Sequence, residues 1–462
     1  MRSVDNTLDY LDQASFLAYR ADGHAPLIQL TWIYRTEVDL DALRRFQRNL
    51  GRGLLGRRIE RSPLPFGRHR WIAWRGPADI DVAENARSRD EVTAWTDEQA
   101  AVPIDPEHGP PWRLAVQPLV EGGAVVTFLI AHTVADGEGL LSAVADAVNG
   151  VTRDLGYPEA HSRSKTQAVL QDLYRFLRDL PAVAGSLLKL PVAAMNARRM
   201  LQAPSGPRKV QRELGRGTGD SLAPRGSHAD LRRNIMMPSV TVLVDEGHWN
   251  QRAESLGGTS NSLLIGVTAR LCERLGYVGS DGSAILSIPV SLRLPDDDRG
   301  NALTGVPMNV DPAAVTADLR GVRSGVKTLL SQLAESGNHL EGTLPLTPFV
   351  PSFLARRAEL NILRSRTVNC SNSGDIDPAV NRPDGTDADR FTSRDVRWSG
   401  QLTHGFLRRI DGRLSSVVSG RMGGRVYISI SYVNAEGSTT VNQLNEAVRG
   451  ALDDFGLIGT VE

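Results

Sequence analysis

Apolar positions in the first third of the chain recur with the periods of strands and helices. Residues 26–34 (PLIQLTWIY) are rich in β-branched and aromatic side chains, which favours a strand. Residues 39–50 begin with Asp39, a good helix N-cap, and then bring Leu43, Phe46 and Leu50 to one face, which predicts a helix. The same reasoning predicts helices at residues 7–19 and 90–101 and strands at residues 70–74 and 112–118.

An almost wholly apolar run at residues 124–131 (AVVTFLIA) follows the turn-forming pair Gly122 and Gly123. The run has the length of a strand, and its lack of polar positions indicates a strand buried on both faces. It ends at His132, and a helix is expected at residues 140–148. A histidine that follows a buried strand can project its imidazole into a cleft at the end of that strand.

The segment from residue 162 to about residue 233 has a different character. Two amphipathic stretches, residues 167–180 and 182–201, lead into residues 204–228, which are rich in Gly, Arg, Ser and Pro. That composition is typical of a linker or mobile crossover. Because the amphipathic stretches carry basic residues, a membrane-facing surface is one interpretation. A packed pair of interdomain helices with a solvated face is the favoured one.

Strands and helices resume after residue 235. Residues 239–244 (SVTVLV) predict a strand, and Thr259 is expected to cap a helix with an apolar stripe of Leu263, Leu264, Val267, Leu271 and Leu275. Further strands are expected at residues 284–290, 305–310, 367–370, 414–418 and 426–432.

Each half of the chain therefore mixes strands with helices, and the sequence has no repeat of fixed period. A chain of 462 residues is too long for one ordinary core. We predict an α/β protein of two similar-sized domains, each a mixed sheet flanked by helices. The expected division is an N-terminal domain at 1–161, crossover helices and a linker at 162–235, and a C-terminal domain at 236–462.

Composition narrows the class of protein. Hydrophobic residues make up 41% of the chain and charged residues 23%, as in globular proteins. The 53 basic and 53 acidic residues balance, which argues against a nucleic-acid binder held by its overall charge. Two cysteines, Cys272 and Cys370, are too few for a disulfide framework or a cysteine-built zinc site, and they favour a reducing interior.

The sequence also predicts where the protein resides. Its N-terminus carries Asp5, Asp9 and Asp12, without the basic region and apolar run of a signal peptide. No stretch approaches the roughly 18 apolar residues that a membrane span needs. We expect a cytoplasmic protein whose membrane contact, if it has any, is peripheral at a membrane or lipid surface.

The strongest candidate for chemistry is the sequence His132-Thr-Val-Ala-Asp136-Gly137. A histidine side chain titrates near neutral pH and can take a proton from a nucleophile, so His132 is a candidate general base. Asp136 is better suited to hold the loop by pairing with a cation, and Gly137 would permit the bend. The motif alone is unspecific, since a histidine that only forms hydrogen bonds in a turn fits it equally well.

Other motifs give weaker signals. No Gly-Lys-Ser/Thr follows a glycine cluster, and the Gly-x-Ser-x-Gly elbow of serine hydrolases is absent. The run Asp296-Asp297-Asp298 fits a solvated acidic loop better than a cation site. The remaining histidines lack the spacing of metal ligands, so no metal site is predicted.

The histidine motif resembles the active-site loop of the chloramphenicol-acetyltransferase-like superfamily. This superfamily includes condensation domains, plant BAHD acyltransferases and the wax ester synthase/diacylglycerol acyltransferase group. Five further stretches resemble the last group, in the same order and over nearly the whole chain. They are residues 10–17 (YLDQASFL), 104–113 (IDPEHGPPWR), 258–264 (GTSNSLL), 288–293 (IPVSLR) with Gly300-Asn301 and 307–309 (PMN), and 369–374 (NCSNSG).

The resemblance implies a fold and roles for individual residues. The fold is that of two chloramphenicol-acetyltransferase-like domains with an active-site tunnel between them. In such proteins the aspartate of the histidine loop pairs with an arginine of the second domain, and Arg293 is the matching position. Asn309, Ser371 and Asn372 match positions where the family has polar residues near the substrate channel.

The sequence also departs from the family patterns. Ala131 replaces the second histidine that many wax ester synthase relatives and condensation domains have before the catalytic one, which puts the acceptor preference in doubt. The plant Asp-Phe-Gly-Trp-Gly motif is absent, and the Ser-Asn turn lacks the prolines usual in wax ester synthases.

The predicted function is therefore an O-acyltransferase that moves an acyl group from a thioester, acyl-CoA in the first place, to a hydroxyl acceptor. His132 would be the base and Asp136 its support. Acyl-CoA would act as a co-substrate, and no cofactor is predicted. Two alternatives stay open: a condensation-type enzyme that forms amides or esters from carrier-protein thioesters, and a non-catalytic relative that binds a lipid or a partner.

Overall fold

The computed structural model describes most of the chain. The described residues are 6–22, 26–202, 234–235, 237–279, 281–336, 341–364, 367–397, 402–410, 414–434 and 436–461. The linker predicted at 204–228 lies outside these ranges.

Helices and strands follow each other in both halves of the described chain. The helices are α1 (Tyr10–Asp22), α2 (Leu40–Leu50), α3 (Val92–Ala100), α4 (Gly137–Val148), α5 (Lys165–Gln202), α6 (Glu246–Ser255), α7 (Ser260–Arg274), α8 (Arg320–Ser336), α9 (Ser352–Arg364), α10 (His404–Ile410) and α11 (Val441–Asp453). The strands are β1 (Pro26–Tyr34), β2 (Arg57–Glu60), β3 (Arg70–Ala73), β4 (Asp81–Val82), β5 (Trp112–Pro118), β6 (Ala124–Ala131), β7 (Ser239–Asp245), β8 (Ala284–Ser291), β9 (Leu303–Val310), β10 (Thr367–Asp375), β11 (Arg390–Arg397), β12 (Leu414–Met422), β13 (Arg425–Val433) and β14 (Gly459–Val461).

The strands form two large mixed sheets. The first has the order β11-β1-β6-β5-β4 and the second the order β14-β7-β13-β12-β10-β8-β9, while β2 and β3 pair separately. One core packs α2 and α4 on the first sheet, and another packs α7 and α11 on the second. The predicted α/β architecture of two halves, each a sheet with flanking helices, is confirmed.

Strand β11 comes from the C-terminal half of the sequence but belongs to the first sheet, where it pairs with β1. The sequence did not predict this strand, since charged residues interrupt its apolar pattern (RFTSRDVR). Arg394, one of those charged residues, is paired inside the protein. Arg394 is 8% exposed and donates to Gln29 at 2.8 Å and to Asp97 at 2.7 Å. The two sheets therefore do not divide where the predicted domain boundaries do.

Helix α5 is one continuous helix where the sequence suggested two amphipathic stretches. It packs on the 3₁₀ segment Glu341–Phe349, and the rings of Phe176 and Phe349 lie 5.8 Å apart. The favoured interpretation of a packed helix pair is wrong, because residues 165–202 form this one helix. Many large apolar side chains of α5 are exposed. Those at least 54% exposed are Leu170, Tyr174, Leu177, Leu187 and Leu188, named here the apolar stripe of α5.

Two boundaries near the candidate site differ from the prediction. Helix α4 begins at Gly137 and not at residue 140, since Asp136 caps it. Strand β10 continues to Asp375, so Ser371 and Asn372 lie in a strand and not in the turn that the resemblance implied.

Candidate active site

Strand β6 delivers His132 to the contact between the two halves. The strand is buried along its whole length between β1 and β5. The backbone N–H of His132 donates to the carbonyl of Pro26 at 3.0 Å, and that of Val134 donates to Ala131 at 2.8 Å to close a turn. The His132 side chain is half-buried, so the imidazole is not enclosed in a packed core.

A residue of the second half holds the imidazole. Nδ1 of His132 lies 3.0 Å from Oδ1 of Asn301. Asn301 is 4% exposed, and its Nδ2 donates to Oδ1 of Asp12 at 3.2 Å. Among the described residues, none forms a hydrogen bond with Nε2 of His132. Within the described part of the chain, this leaves the second ring nitrogen without a hydrogen-bond partner.

Asp136 organises the loop, and its described hydrogen bonds do not include His132. Its Oδ1 accepts from the N–H of Gly139 at 2.8 Å, which caps α4. Its Oδ2 accepts from the N–H of Ala302 and from Nη2 of Arg293, both at 2.8 Å. The carboxylate is thus saturated by donors from both halves, which suits a structural role rather than proton transfer.

Arg293 forms the cationic side of this contact, and its side chain is 7% exposed. Beyond Asp136, its guanidinium donates to the carbonyls of Asp297, Arg299 and Gly300, each at 3.1 Å. The structure thus brings Asp136 and Arg293 together, as the resemblance implied. A planar five-donor group is needed to bind a carboxylate and three carbonyls at once, which lysine could not do.

Gly139 is the sterically constrained glycine of the loop, and Gly137 is not. A Cβ on Gly139 would lie 2.8 Å from Nη2 of Arg293, whereas one on Gly137 would meet no atom within 4 Å. The idea that Gly137 is needed for the bend therefore finds no support. We expect Gly139→Ala to lower the free energy of unfolding by about 3 kcal/mol, because it disrupts a buried ion pair.

Urea unfolding of both alanine variants tests this difference. Gly137→Ala is the matched control and should change stability by less than about 1 kcal/mol, since alanine favours a helix. Equal losses in the two variants would contradict the steric assignment.

Asp12 is fully buried beneath the site. It accepts from the backbone N–H groups of Gly300 at 2.9 Å and Asn301 at 2.7 Å. Burial raises the pKa of Asp12 from 3.8 to about 6, while the charge of Arg57 and these hydrogen bonds oppose that rise. Asp12 therefore keeps its negative charge above about pH 6, at a cost in stability.

The stability of the protein should depend on pH through Asp12. Because its folded pKa is raised, its favourable contribution is present below about pH 4 and is lost as the pH rises through about 6. The difference in unfolding free energy between wild type and Asp12→Asn should fall by on the order of 3 kcal/mol over that window. Urea titrations of both proteins at several pH values measure it. A pH-independent difference would contradict the raised pKa.

A second buried arginine, Arg57, braces the other side of the histidine loop. It is 0% exposed, and its Nη2 donates to the carbonyl of Val134 at 2.8 Å. Its Nη1 donates to the carbonyl of Asp298 at 2.5 Å, and the guanidinium lies 4.0 Å from the ring centroid of Trp71. Sequence reasoning missed Arg57, Asp12 and Asn301 as site residues. Only the resemblance included Asp12 and Asn301, without a role.

The three channel candidates lie on strands of the second sheet. Asn309 is exposed on β9, at the edge of that sheet. Asn372 is exposed on β10 and donates to Oδ1 of Asn261 at 3.1 Å, and Ser371 precedes it half-buried. None of these side chains has a hydrogen bond to His132 among the contacts of the described residues. Their role at a channel stays a prediction.

Two further features concern ligands. Among the described residues, no group of three His, Cys, Asp or Glu side chains is arranged to hold a metal ion. A surface groove of about 540 Å³ lies beside Arg274 and Arg449 on the second half, and His132 does not line it. The lining of the groove comes from α7 and α11 and includes no residue of the histidine loop, so we give more weight to the loop. The tunnel expected around His132 stays a prediction.

No protein-family model and no curated protein sequence matches the chain. Solved structures match it in fold. The first condensation domain of the CDA synthetase aligns over 98% of this chain and 97% of that one, with a TM-score of 0.56 and 15% identity. Polyketide synthase associated protein 5 from Mycobacterium tuberculosis aligns over 98% of both chains, with a TM-score of 0.51 and 14% identity.

The nonribosomal peptide synthetase FmoA3 aligns over 98% of this chain but 42% of its own, with a TM-score of 0.51 and 16% identity. The sequence comparisons give no support to the predicted closeness to wax ester synthases. At these identities the likeness shows the fold alone. The chain thus has the two-lobed fold of these condensation-domain structures.

Proposed function

We propose that the protein is a condensation-type acyltransferase that moves an acyl group from a carrier-protein thioester to a hydroxyl or amine. The observation that carries this proposal is the half-buried His132, held through Nδ1 by Asn301, with Nε2 free of hydrogen bonds to the described residues. A base must reach its substrate while its ring is held in one orientation. The fold likeness to condensation domains favours this alternative over the acyl-CoA-dependent wax ester synthase activity that the sequence suggested first.

The proposed chemistry needs no covalent enzyme intermediate. Nε2 of His132 takes the proton of the acceptor as the acceptor's oxygen or nitrogen attacks the thioester carbonyl. The carbonyl electrons move to oxygen, forming a tetrahedral oxyanion. When the carbonyl re-forms, the carbon–sulfur bond breaks, and the protonated His132 returns its proton to the thiolate. General base catalysis of this kind contributes about 10²–10⁴-fold.

A comparison of donors tests the proposal. Acyl groups of several chain lengths would be offered on phosphopantetheinylated carrier proteins and on CoA, with hydroxyl and amine acceptors. Mass spectrometry would follow the acylated product, and DTNB would report the released thiol. We expect transfer from carrier protein that His132→Ala abolishes. Transfer from acyl-CoA alone would contradict the proposal and support the acyl-CoA-dependent activity that the sequence predicted first.

No product from either donor, with the acyl group retained by the protein, would favour the non-catalytic relative that binds a lipid or a partner. The acceptor is compared at the same time. Ester products would match the O-acyltransferase first predicted, and amide products would assign condensation with amines.

We further propose that the apolar stripe of α5 rests on an anionic membrane or lipid surface. At residues 165–191, where the side chains of α5 are described, the exposed charges are basic, whereas Asp172 and Asp179 are paired with arginines. Apolar side chains beside basic ones favour the interface of an anionic bilayer. No helix in the described part of the chain is long and apolar enough to cross a membrane.

Vesicle co-sedimentation tests the stripe. Phosphatidylcholine vesicles with phosphatidylglycerol should bind the wild type, and Leu177→Ser with Leu188→Ser should weaken binding about tenfold or more. Ile458→Ser with Val120→Ser removes equally exposed apolar residues elsewhere and should not weaken it. Binding unchanged by the first pair would contradict the proposal. Self-association of wild type without vesicles, which the first pair abolishes, would assign the stripe to a second copy instead.

A further inference from the structure

We propose that Asn301 and Asp12 are positioning residues that hold His132 in the tautomer with its proton on Nδ1, leaving Nε2 as the proton acceptor. The importance of this tautomer for the reaction rests on the proposed function. The tautomer itself does not, because it follows from hydrogen bonds inside the protein.

Three N–H donors surround the carboxylate of Asp12. Its Oδ2 accepts from the N–H of Gly300, and its Oδ1 accepts from the N–H of Asn301 and lies 3.2 Å from the Asn301 amide. An ionised carboxylate can only accept hydrogen bonds. The amide group that faces Asp12 must therefore be the NH₂ of Asn301, and this fixes which way the amide is turned.

The orientation of Asn301 then determines the proton on His132. With NH₂ toward Asp12, the Asn301 side chain presents its oxygen to Nδ1 of His132 at 3.0 Å. A carbonyl oxygen can only accept, so Nδ1 must carry a hydrogen. In the neutral ring, Nε2 then holds the lone pair. The buried carboxylate of Asp12 thus determines, through the amide of Asn301, which nitrogen of His132 carries the hydrogen.

Burial disfavours any other orientation of the Asn301 amide. Asp12 is 0% and Asn301 4% exposed, so water does not readily substitute for a lost partner. Gly300 lets the backbone approach, since a Cβ there would lie 2.8 Å from Oδ1 of Asp12. The reversed amide would place NH₂ against Nδ1 and oxygen against a carboxylate, leaving two buried acceptors in contact.

The opposite tautomer would disable the proposed chemistry. A hydrogen on Nε2 would face the acceptor with a donor, and the lone pair on Nδ1 would point toward Asn301, away from any substrate. For this reason the Asp12–Asn301 pair acts through His132 and does not itself touch the reacting atoms.

NMR of the ring nitrogens tests the tautomer without any assay of activity. Protein labelled with ¹⁵N-histidine would be studied at pH 8, and the loss of one spin system in His132→Gln assigns the His132 signals. We expect a protonated-type Nδ1 shift and an unprotonated-type Nε2 shift in wild type. The reverse pattern would overturn the proposal, whatever the protein catalyses.

Variants then test the cause. Asn301→Leu removes the acceptor and should shift the ring toward the Nε2-protonated form, and Asp12→Asn should do so in part. Asn442→Leu, at an exposed asparagine of α11, is the matched control and should leave the signals unchanged. An unchanged tautomer in both Asn301→Leu and Asp12→Asn would also overturn the proposal.

Kinetic measurements complete the test, with whichever acyl donor gives turnover in the donor comparison. Asn301→Leu should lower kcat by about 10²-fold with little change in KM, because loss of a tautomer-holding partner affects the base and not the binding surface. A KM effect alone would contradict the positioning role. If no donor gives turnover, the proposed function fails while the NMR result still decides the tautomer.

Discussion

Replacing His132 with alanine should remove most acyl transfer and leave the fold intact. Loss of a general base costs about 10²–10⁴-fold in turnover, or about 3–5 kcal/mol in the activation free energy. The stability cost should be only about 1 kcal/mol, since the half-buried ring loses one side-chain hydrogen bond, to Asn301. Single-turnover transfer and urea unfolding, measured on the same preparation, separate the two effects.

The matched control is His108→Ala, which removes an exposed histidine whose ring forms a hydrogen bond with Asp105 and lies near Glu107. It should retain wild-type turnover and stability. Turnover by His132→Ala within a few-fold of wild type would exclude His132 as the base. A large loss of stability in that variant would show instead that the histidine is mainly structural.

Where one face or one short run determines an element, the sequence predicts it well. The predicted bounds of β5 and β6 agree with the structure, and for β6 an unbroken apolar run between turns is the local signal of a buried strand. Asp39 and Thr259 cap helices as predicted, since a capping side chain acts on its own backbone. Both kinds of signal are local, and local signals survive in a single sequence.

Elements that depend on distant partners are harder to predict. Strand β11 looks polar because Arg394 is matched by Gln29 and Asp97, which lie about three hundred residues away in sequence. Helix α5 continues through Pro181, between the two amphipathic stretches that the sequence predicted. For β11, tertiary context outweighs the local pattern.

The residues of the candidate site show the same contrast between local sequence signals and contacts with distant partners. The motif identified His132 and Asp136, and the family resemblance added Arg293, because those residue types carry recognisable chemistry. Asn301 and Asp12 could not be assigned a role, since an asparagine after glycine and an aspartate in an opening helix are ordinary features. Their importance arises only when the two halves bring Asn301 within hydrogen-bond distance of both Asp12 and His132.

Removing the carboxylate of Asp136 should have the largest effect on stability. Asp136→Ala leaves Arg293 buried without its counter-charge and removes the acceptor for the N–H groups of Gly139 and Ala302. Breaking a buried ion pair from one side costs about 3–5 kcal/mol. Turnover should also fall by about 10²-fold in the folded protein, because the loop that carries His132 loses its fixed position.

A double-mutant cycle distinguishes the ion pair from the cap. Asp136→Ala, Arg293→Met and the double variant would be compared by urea unfolding. The double variant should lose about 2 kcal/mol less than the sum of the single losses, because each single variant strands a charge that the double variant does not. Glu98→Ala is the control, since it breaks an exposed pair with Arg87 and should cost less than about 1 kcal/mol.

Two outcomes, one of the cycle and one of a turnover measurement on Asp136→Asn, would contradict this account. Additive losses would mean that Asp136 and Arg293 do not stabilise each other, although they lie 2.8 Å apart. Full turnover in folded Asp136→Asn, which keeps one oxygen for the helix cap but loses the charge, would mean that the ion pair does not position the histidine loop. A reduced turnover in that variant, with α4 intact by circular dichroism, would assign the effect to the charge that joins the two halves beside His132.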